Sequence, residues 1–224
     1  MGTIALIGVQ IALATAGADT AAAPRGDDSR GLPRFDGRSA ALDTATRQRI
    51  TGSSWRPGCP VGLGDLRLLR VTYFGFDGEA HNGRLIVHED VDKGVLGAMR
   101  SLYRHRFPIR RMRLVDAYGA DDRRSMNADN TSAFNCRFVA GQPGVWSQHA
   151  FGKAIDVNPI ENPYVSGSHV SPPAGGDYTD RSEERKGMIH RGDPTVRAFA
   201  AIGWGWGGRW NSPKDYHHFS ASGT

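Results

Sequence analysis

One carboxylate, Asp156, lies inside an apolar segment, Ala-Ile-Asp-Val at residues 154–157. An unpaired charge among apolar side chains is costly, so the fold must place a compensating charge beside it. His149 precedes this segment, and a neutral imidazole and a carboxylate are both good ligands of zinc. Gly152 and Ala154 stand between the two, and such small residues let the backbone pack closely where two ligands converge. We therefore expect a metal ion at this point of the chain.

A second polar cluster, Asp-Tyr-His-His-Phe, occupies residues 215–219 near the C-terminal end. Each cluster alone has a simpler explanation: a core histidine with a helix-capping aspartate for the first, and exposed tail histidines for the second. Together they supply the two histidines and the carboxylate of a three-ligand site, with a second carboxylate to spare. A catalytic zinc site needs this set, because three side chains hold the metal, one position stays open for water, and a base takes the proton.

The Ser-x-His-x-x-Gly-x-Ala-x-Asp pattern of residues 147–156 and the late acid-x-x-His-Phe pattern resemble a known family. It is the zinc D-alanyl-D-alanine carboxypeptidase and L-alanyl-D-glutamate endopeptidase family of peptidoglycan peptidases. The resemblance covers roughly residues 105–220. The zinc ligands that it implies are His149, Asp156 and His218. It also implies that Asp215 is the general base.

Three further residues are candidates for the site. Family members hold an upstream arginine, in a Ser-Gly-Tyr-Arg-like segment, that polarises the scissile carbonyl. Ser-Ala-Phe-Asn-Cys-Arg at residues 132–137 occupies that place with two extra residues, which makes Arg137 the expected equivalent. His217 adjoins a ligand, and we expect it to face the substrate or to support the ligands. Ser147, at the start of the first motif, is also assigned to substrate binding.

The resemblance implies a peptidase that hydrolyses an amide bond in peptidoglycan stem peptides, with zinc as its cofactor. Two bonds are candidates, the L-alanyl-D-glutamate bond and the terminal D-alanyl-D-alanine bond. An aspartate as the base, Asp215, resembles the endopeptidases, whereas glutamate is usual in the carboxypeptidases. The alternative is a non-catalytic zinc-containing module that binds the cell wall. The hedgehog domain illustrates a zinc module without catalysis, and the presence of Asp215 favours the enzyme. The sequence leaves the oligomeric state open.

The charge balance is basic, with 28 Lys and Arg against 23 Asp and Glu and a net charge of +5. Such an excess suits a polyanionic partner, either nucleic acid or an anionic cell wall. The densest basic stretch, residues 104–113, lacks arginine-glycine repeats, zinc-knuckle spacing and interleaved aromatic residues. We therefore expect no nucleic-acid partner, and a solvated charged face explains the stretch equally well.

Residues 1–23 are typical of an export signal. An almost unbroken apolar run from Ile4 to Ala14 precedes small-x-small sites for signal peptidase, although no Lys or Arg precedes the run. The run is too short to span a membrane, which takes about 20 apolar residues. We expect a secreted or cell-wall-associated protein with no stable membrane insertion after cleavage.

Cys59 and Cys136 are the two cysteines of the chain, and two cysteines in an exported protein most often pair. The alternative is a pair of buried free thiols. Neither cysteine lies in a Cys-x-x-Cys arrangement, so a cysteine-based metal site is not expected.

The domain organisation predicted is a signal peptide at 1–23, a linker with a short helix at 24–54, and the zinc peptidase domain at 55–224. Alternation, helical spacing and capping residues predict strands at 66–74, 83–88 and 109–118, and helices at 39–50, 91–106 and 193–202. This order of elements indicates an α+β fold with a small, mostly antiparallel sheet, a few helices and long loops, as in the hedgehog/DD-peptidase fold that the resemblance implies.

Trp204, Trp206 and Trp210 are expected to be core residues of a strand, with a sugar-stacking platform as the alternative.

Overall fold

The computed structural model describes residues 1–2, 31 and 33–224, and a compact unit extends over Leu32–Thr224. The expected signal peptide lies, apart from its first two residues, outside the described residues. None of the helices in the described part of the chain is long and apolar enough to cross a membrane.

The described residues form an α+β fold with four short helices and twelve strands, and the fold class predicted from the sequence is confirmed. The helices are α1 (Thr44–Ile50), α2 (Asp92–Arg104), α3 (Asp122–Asn127) and α4 (Pro194–Ala200). The strands are β1 (Gly37–Ala41), β2 (Leu66–Gly75), β3 (Ala80–His88), β4 (Pro108–Ile109), β5 (Arg111–Met112), β6 (Asn130–Thr131), β7 (Ala154–Asp156), β8 (Tyr164–Ser166), β9 (His169–Ser171), β10 (Gly205–Trp206), β11 (Lys214–Asp215) and β12 (His218–Ser220).

The largest sheet is built on the hairpin β2–β3, which the sequence predicted. Leu69 lies opposite Leu85, and β1 and β4 extend the sheet beyond β2. The inward face of this sheet packs against α2, whose buried residues include Val95, Met99 and Leu102. These follow the helical spacing of the sequence, since residues three and four apart share a face.

The helix expected from Ser39 begins later. Ser39 lies in β1, opposite Leu69 of β2, because residues 37–41 complete the edge of the sheet. Asp43 caps α1 instead, and its carboxylate accepts a hydrogen bond of 2.7 Å from the Thr46 backbone N–H. The compact unit thus includes residues 32–54, for which the sequence predicted a linker with a short helix.

The strand expected at 109–118 is wrong in its extent. The segment forms two two-residue strands and then a 3₁₀ turn at Val115–Tyr118. Arg113 lies between the second of these strands and the turn. Its backbone N–H and carbonyl pair with the side-chain amide of Asn130, at 2.9 and 3.0 Å. A side chain therefore takes the place of a neighbouring strand, and alternation in the sequence does not reveal such a partner.

The helix predicted at 193–202, α4, begins at Pro194 and ends at Ala200. Asp193 is its N-cap residue, but its carboxylate accepts a 2.6 Å hydrogen bond from the backbone N–H of His190 and none from the helix. The 159–192 segment, expected to be a loop, contains the hairpin β8–β9.

A small sheet of order β10–β12–β7 carries the functional site. Its buried face stacks Phe219 on Phe199 of α4 at 4.2 Å between ring centroids, and Trp206 packs beside them. Trp204 and Trp206 are therefore core residues, as expected. Trp210 is half-buried and lines a groove.

The Cys59–Cys136 pair forms a disulfide, with 5.9 Å between the Cα atoms. The backbone N–H of Cys136 also donates to the Ser54 carbonyl at 2.9 Å. Both links fasten the segment before Arg137 to the N-terminal part of the unit, and the predicted pairing is confirmed.

Candidate metal centre

Three of the residues singled out in the sequence meet at one point. His149 lies in a 3₁₀ turn at Gln148–Phe151, Asp156 ends β7, and His218 begins β12. The ligand atoms of these three buried side chains all lie within 4.8 Å of one another. This is the one such cluster among the described residues, and it is the ligand set that the two motifs predicted.

The pairing of β7 with β12 brings the two motifs together. The strands run antiparallel, with His218 opposite Asp156 and Phe219 opposite Ile155. Because successive side chains of a strand point to opposite faces, the apolar pair enters the core while the polar pair faces the other side. Asp156 has apolar neighbours in the sequence because one face of its strand packs in the core and the other face carries the polar residues.

The turn that carries His149 depends on Ser147 and Gly152. The hydroxyl of Ser147 accepts a hydrogen bond of 3.3 Å from the His149 backbone N–H at the start of the turn. Gly152 ends it with φ of +66°, and a Cβ there would lie 2.6 Å from the backbone nitrogen of His88. That nitrogen donates to the Gly152 carbonyl at 2.9 Å, so the turn packs directly on β3. Glycine is needed both for the left-handed backbone and for the close approach.

The donor atoms fit a zinc ion. The Nδ1–H of His149 donates to the Ala133 carbonyl at 2.6 Å, which leaves Nε2 as the free nitrogen. That Nε2 is buried without a hydrogen bond and lies 3.1 Å from a carboxylate oxygen of Asp156, while Nδ1 of His218 lies 3.0 Å from the other oxygen. Ligand atoms of a tetrahedral zinc site lie about 3.3 Å apart, given metal–ligand distances of about 2.0–2.1 Å.

The electrostatics of the cluster favour a cation. Burial lowers the pKa of His149, but the Asp156 carboxylate raises it by more, so the net shift is upward. Burial raises the pKa of Asp156, yet the rings of His149 and His217 lower it far below its ordinary value. The site therefore stabilises a carboxylate that faces positive charge, as a metal ion would provide.

Asp215 and His217 form a pair beside the three ligands. Nε2 of His217 lies 3.0 Å from a carboxylate oxygen of Asp215 and 3.9 Å from one of Asp156. The Nδ1–H of the same ring donates to the Asn162 carbonyl at 2.8 Å. His217 is buried and Asp215 is partly exposed, and both line the groove.

Arg137 and Ser147 line the same groove as the three ligands. A guanidinium nitrogen of Arg137 lies 2.9 Å from a carboxylate oxygen of Asp122, in the first turn of α3. The sequence did not single out Asp122, because α3 lies in a segment that was interpreted as a polar loop. The structural sign of a role for Asp122 is that its carboxylate pairs with the guanidinium of Arg137.

The groove has a volume of about 660 Å³, and the three candidate ligands line it. Arg137, Trp146, Tyr164, Trp210 and Asp215 line it as well. The Trp210 ring lies 5.6 Å from that of His218, and its Nε1–H donates to the Gly223 carbonyl. The sequence did not single out Trp146 and Tyr164, because an isolated aromatic residue has no distinguishing pattern.

A small α+β domain with a buried His-Asp-His cluster at the floor of a groove has the features of a metal-dependent hydrolase. Residues 140–221 match the family model described as D-alanyl-D-alanine carboxypeptidase. This match contains both sequence motifs, confirms the resemblance drawn from them, and supports a hydrolase that acts on peptides. Searches of curated proteins and of solved structures returned no match.

Proposed function

We propose that the protein is a zinc peptidase that hydrolyses an amide bond in peptidoglycan stem peptides. The observation that carries the proposal is the buried cluster of His149, Asp156 and His218 at the floor of the groove, with Asp215 beside it. A zinc ion held there would act as a Lewis acid and lower the pKa of a water molecule to about 7.

The remaining steps belong to side chains of the chain itself. Asp215 accepts the proton of the attacking water and passes it to the leaving amine, as general acid–base catalysis requires. His217 keeps this carboxylate in one orientation, because its ring is held at its other nitrogen by the Asn162 carbonyl. Arg137 donates hydrogen bonds to the carbonyl oxygen, where negative charge develops during the attack.

The charges of the groove favour an endopeptidase that cuts the L-alanyl-D-glutamate bond. A carboxypeptidase must grip the terminal carboxylate of its substrate, and an arginine or lysine would do so. Among the described residues that line the groove, Arg137 is the one such side chain, and Asp122 already pairs with it. Aspartate as the base, Asp215, supports the same bond through the family resemblance.

Two further proposals concern the surroundings of the enzyme. The Cys59–Cys136 disulfide supports a protein that is secreted or associated with the cell wall, since such bonds persist in oxidising compartments. The net charge of +5 supports an anionic wall as the setting in which the substrate is met.

The test combines a product analysis with one variant. Purified, zinc-loaded protein is incubated with muropeptides, and mass spectrometry identifies the new termini. Peptides that begin with D-glutamate or D-isoglutamine are expected, and loss of a single terminal D-alanine would overturn the choice of bond. Asp215→Asn should keep its zinc and lose about 10²–10⁴-fold in turnover. Asp177→Asn is the matched control, because Asp177 is an exposed aspartate distant in the sequence from Asp215.

A zinc-binding module without catalysis is the second candidate. It would bind one zinc per chain, release no product from any muropeptide, and show the same behaviour in the wild type and in Asp215→Asn.

A further inference from the structure

A short hairpin-like loop, residues 138–146, forms one edge of the groove. Phe138 and Trp146 face each other as an antiparallel bridge, and their ring centroids lie 4.2 Å apart with the planes tilted by 38°. The Val139 backbone N–H donates to the Val145 carbonyl at 2.8 Å, and turns around Gln142 close the tip. We name residues 138–146 the rim hairpin.

The rim hairpin is apolar where it meets solvent. Phe138 is 39% exposed and Val145 is 49% exposed, and these are the two strongly exposed large apolar side chains within residues 33–224. The nine residues Phe-Val-Ala-Gly-Gln-Pro-Gly-Val-Trp contain no charged side chain in a protein with a net charge of +5. Exposed apolar groups that cluster beside a groove mark a binding surface more often than those scattered singly.

The rim hairpin is continuous with the catalytic groove. Val145 and Trp146 line that groove together with His149, and Phe138 supports the Trp146 ring from the other side. Arg137 directly precedes the hairpin and Ser147 directly follows it. Val145 and Trp146 therefore lie within the same groove as the candidate metal ligands.

We propose that the rim hairpin binds the sugar to which the stem peptide is attached. The proposal rests on the proposed function and names the substrate group on one side of the scissile bond. The stem peptide carries free carboxylates, which an uncharged apolar surface does not attract. A pyranose ring is uncharged and has apolar C–H faces, and such a face packs on an aromatic ring or a branched aliphatic side chain.

The position of the scissile bond agrees with a sugar at the rim hairpin. One alanine, about 3.5 Å of extended chain, separates the L-alanyl-D-glutamate amide from the lactyl group of the sugar. Four residues, about 14 Å, separate the terminal D-alanyl-D-alanine amide from the same group. Contact with the sugar at the edge of the groove therefore favours the amide nearest to the glycan.

The experiment compares two substrates with the same scissile bond, an N-acetylated stem tetrapeptide and the same tetrapeptide on its disaccharide. The wild-type enzyme is expected to cleave the disaccharide-linked form with a kcat/KM about three- to tenfold higher. Val145→Ser and Phe138→Ser should bring this ratio close to one, mainly through a higher KM for the disaccharide-linked form. The conservative Val145→Thr, which keeps the shape of the side chain, should retain most of the preference.

Three outcomes overturn the proposal. The wild type cleaves both substrates equally, or the variants lose activity equally on both, or the variants leave the ratio unchanged. Zinc content and the unfolding midpoint of each variant show whether the fold is intact, and Val145→Ser alone decides if Phe138→Ser fails to fold. Failure of the proposed function looks different, since the zinc-loaded wild type then cleaves neither substrate.

Discussion

Glu161 is a buried carboxylate whose surroundings disfavour its charge, and its replacement tests the electrostatics of the fold. Its side chain is 1% exposed, one of its oxygens has no hydrogen-bond partner, and Asp129 is its acidic neighbour. Arg110 partly compensates, with a nitrogen 3.1 Å from the other Glu161 oxygen and its guanidinium stacked over Phe76 at 3.7 Å. Burial, followed by the contact with Asp129, raises the pKa of Glu161 to about 8.

The direction in which pH changes the free energy of unfolding follows from the pKa values of Glu161 in the unfolded and folded protein. The value is 4.5 in an unconstrained carboxyl and about 8 in the folded protein, so the native state binds the proton more tightly. This contribution to stability is fully present below pH 4.5 and is lost as the pH rises through 8. Each pH unit between the two values costs about 1.4 kcal/mol, so the loss between pH 5 and pH 8 is about 3–4 kcal/mol.

Glu161→Gln removes the titration and keeps the shape, and its amide can donate to Asp129 as the protonated acid does. Urea unfolding at several pH values between 5 and 8 gives the free energy of unfolding of the wild type and of Glu161→Gln. The variant is expected to gain about 3–4 kcal/mol relative to the wild type over this range. Glu184→Gln, an exposed glutamate, should run parallel to the wild type. If the free energy of unfolding of Glu161→Gln also ran parallel to that of the wild type across this pH range, a neutral Glu161 in the native state would be refuted.

Three other predictions address the site and its scaffold. His149→Ala should lose most of its zinc by elemental analysis, whereas His81→Ala, at an exposed histidine, should retain it; full zinc in the first variant would contradict the ligand assignment. Arg137→Ala should keep zinc and lower kcat more than it raises KM, because its hydrogen bonds strengthen as charge develops on the carbonyl oxygen; an effect on KM alone would instead assign it to binding. Thiol titration of denatured, unreduced protein should find no free cysteine, and two free thiols would contradict the Cys59–Cys136 bond.

The candidate ligand set was predictable from the sequence because each of its residues is marked by its neighbours. Asp156 stands out as a charge among apolar residues, and His149 is followed by a glycine whose backbone conformation and lack of a side chain the turn requires. The hairpin β2–β3 and the helix α2 were predictable for the same reason, since periodic burial leaves a periodic pattern.

What escaped the sequence depends on contacts between distant side chains and backbone groups. The side-chain amide of Asn130 pairs with the backbone of Arg113, and Asp122 pairs with Arg137, in each case between residues far apart in the sequence that share no periodic signal. The edge strand β1 was missed because a five-residue segment of mixed polarity has the same composition as a linker until its partner strand is known. Local propensity is a weak guide where a partner far along the chain supplies the hydrogen bonds.

The proposed base and the candidate ligands belong to different sheets. Asp156 and His218 face each other across β7 and β12, whereas Asp215 belongs to β11 and lies opposite Tyr164 of β8. The two sheets meet at His217, whose backbone carbonyl accepts a hydrogen bond from the Val157 N–H and whose ring lies beside the Asp215 carboxylate. Under the proposed function, His217 therefore fixes the base relative to the ligands, and preorganised groups of this kind are what a catalytic site requires.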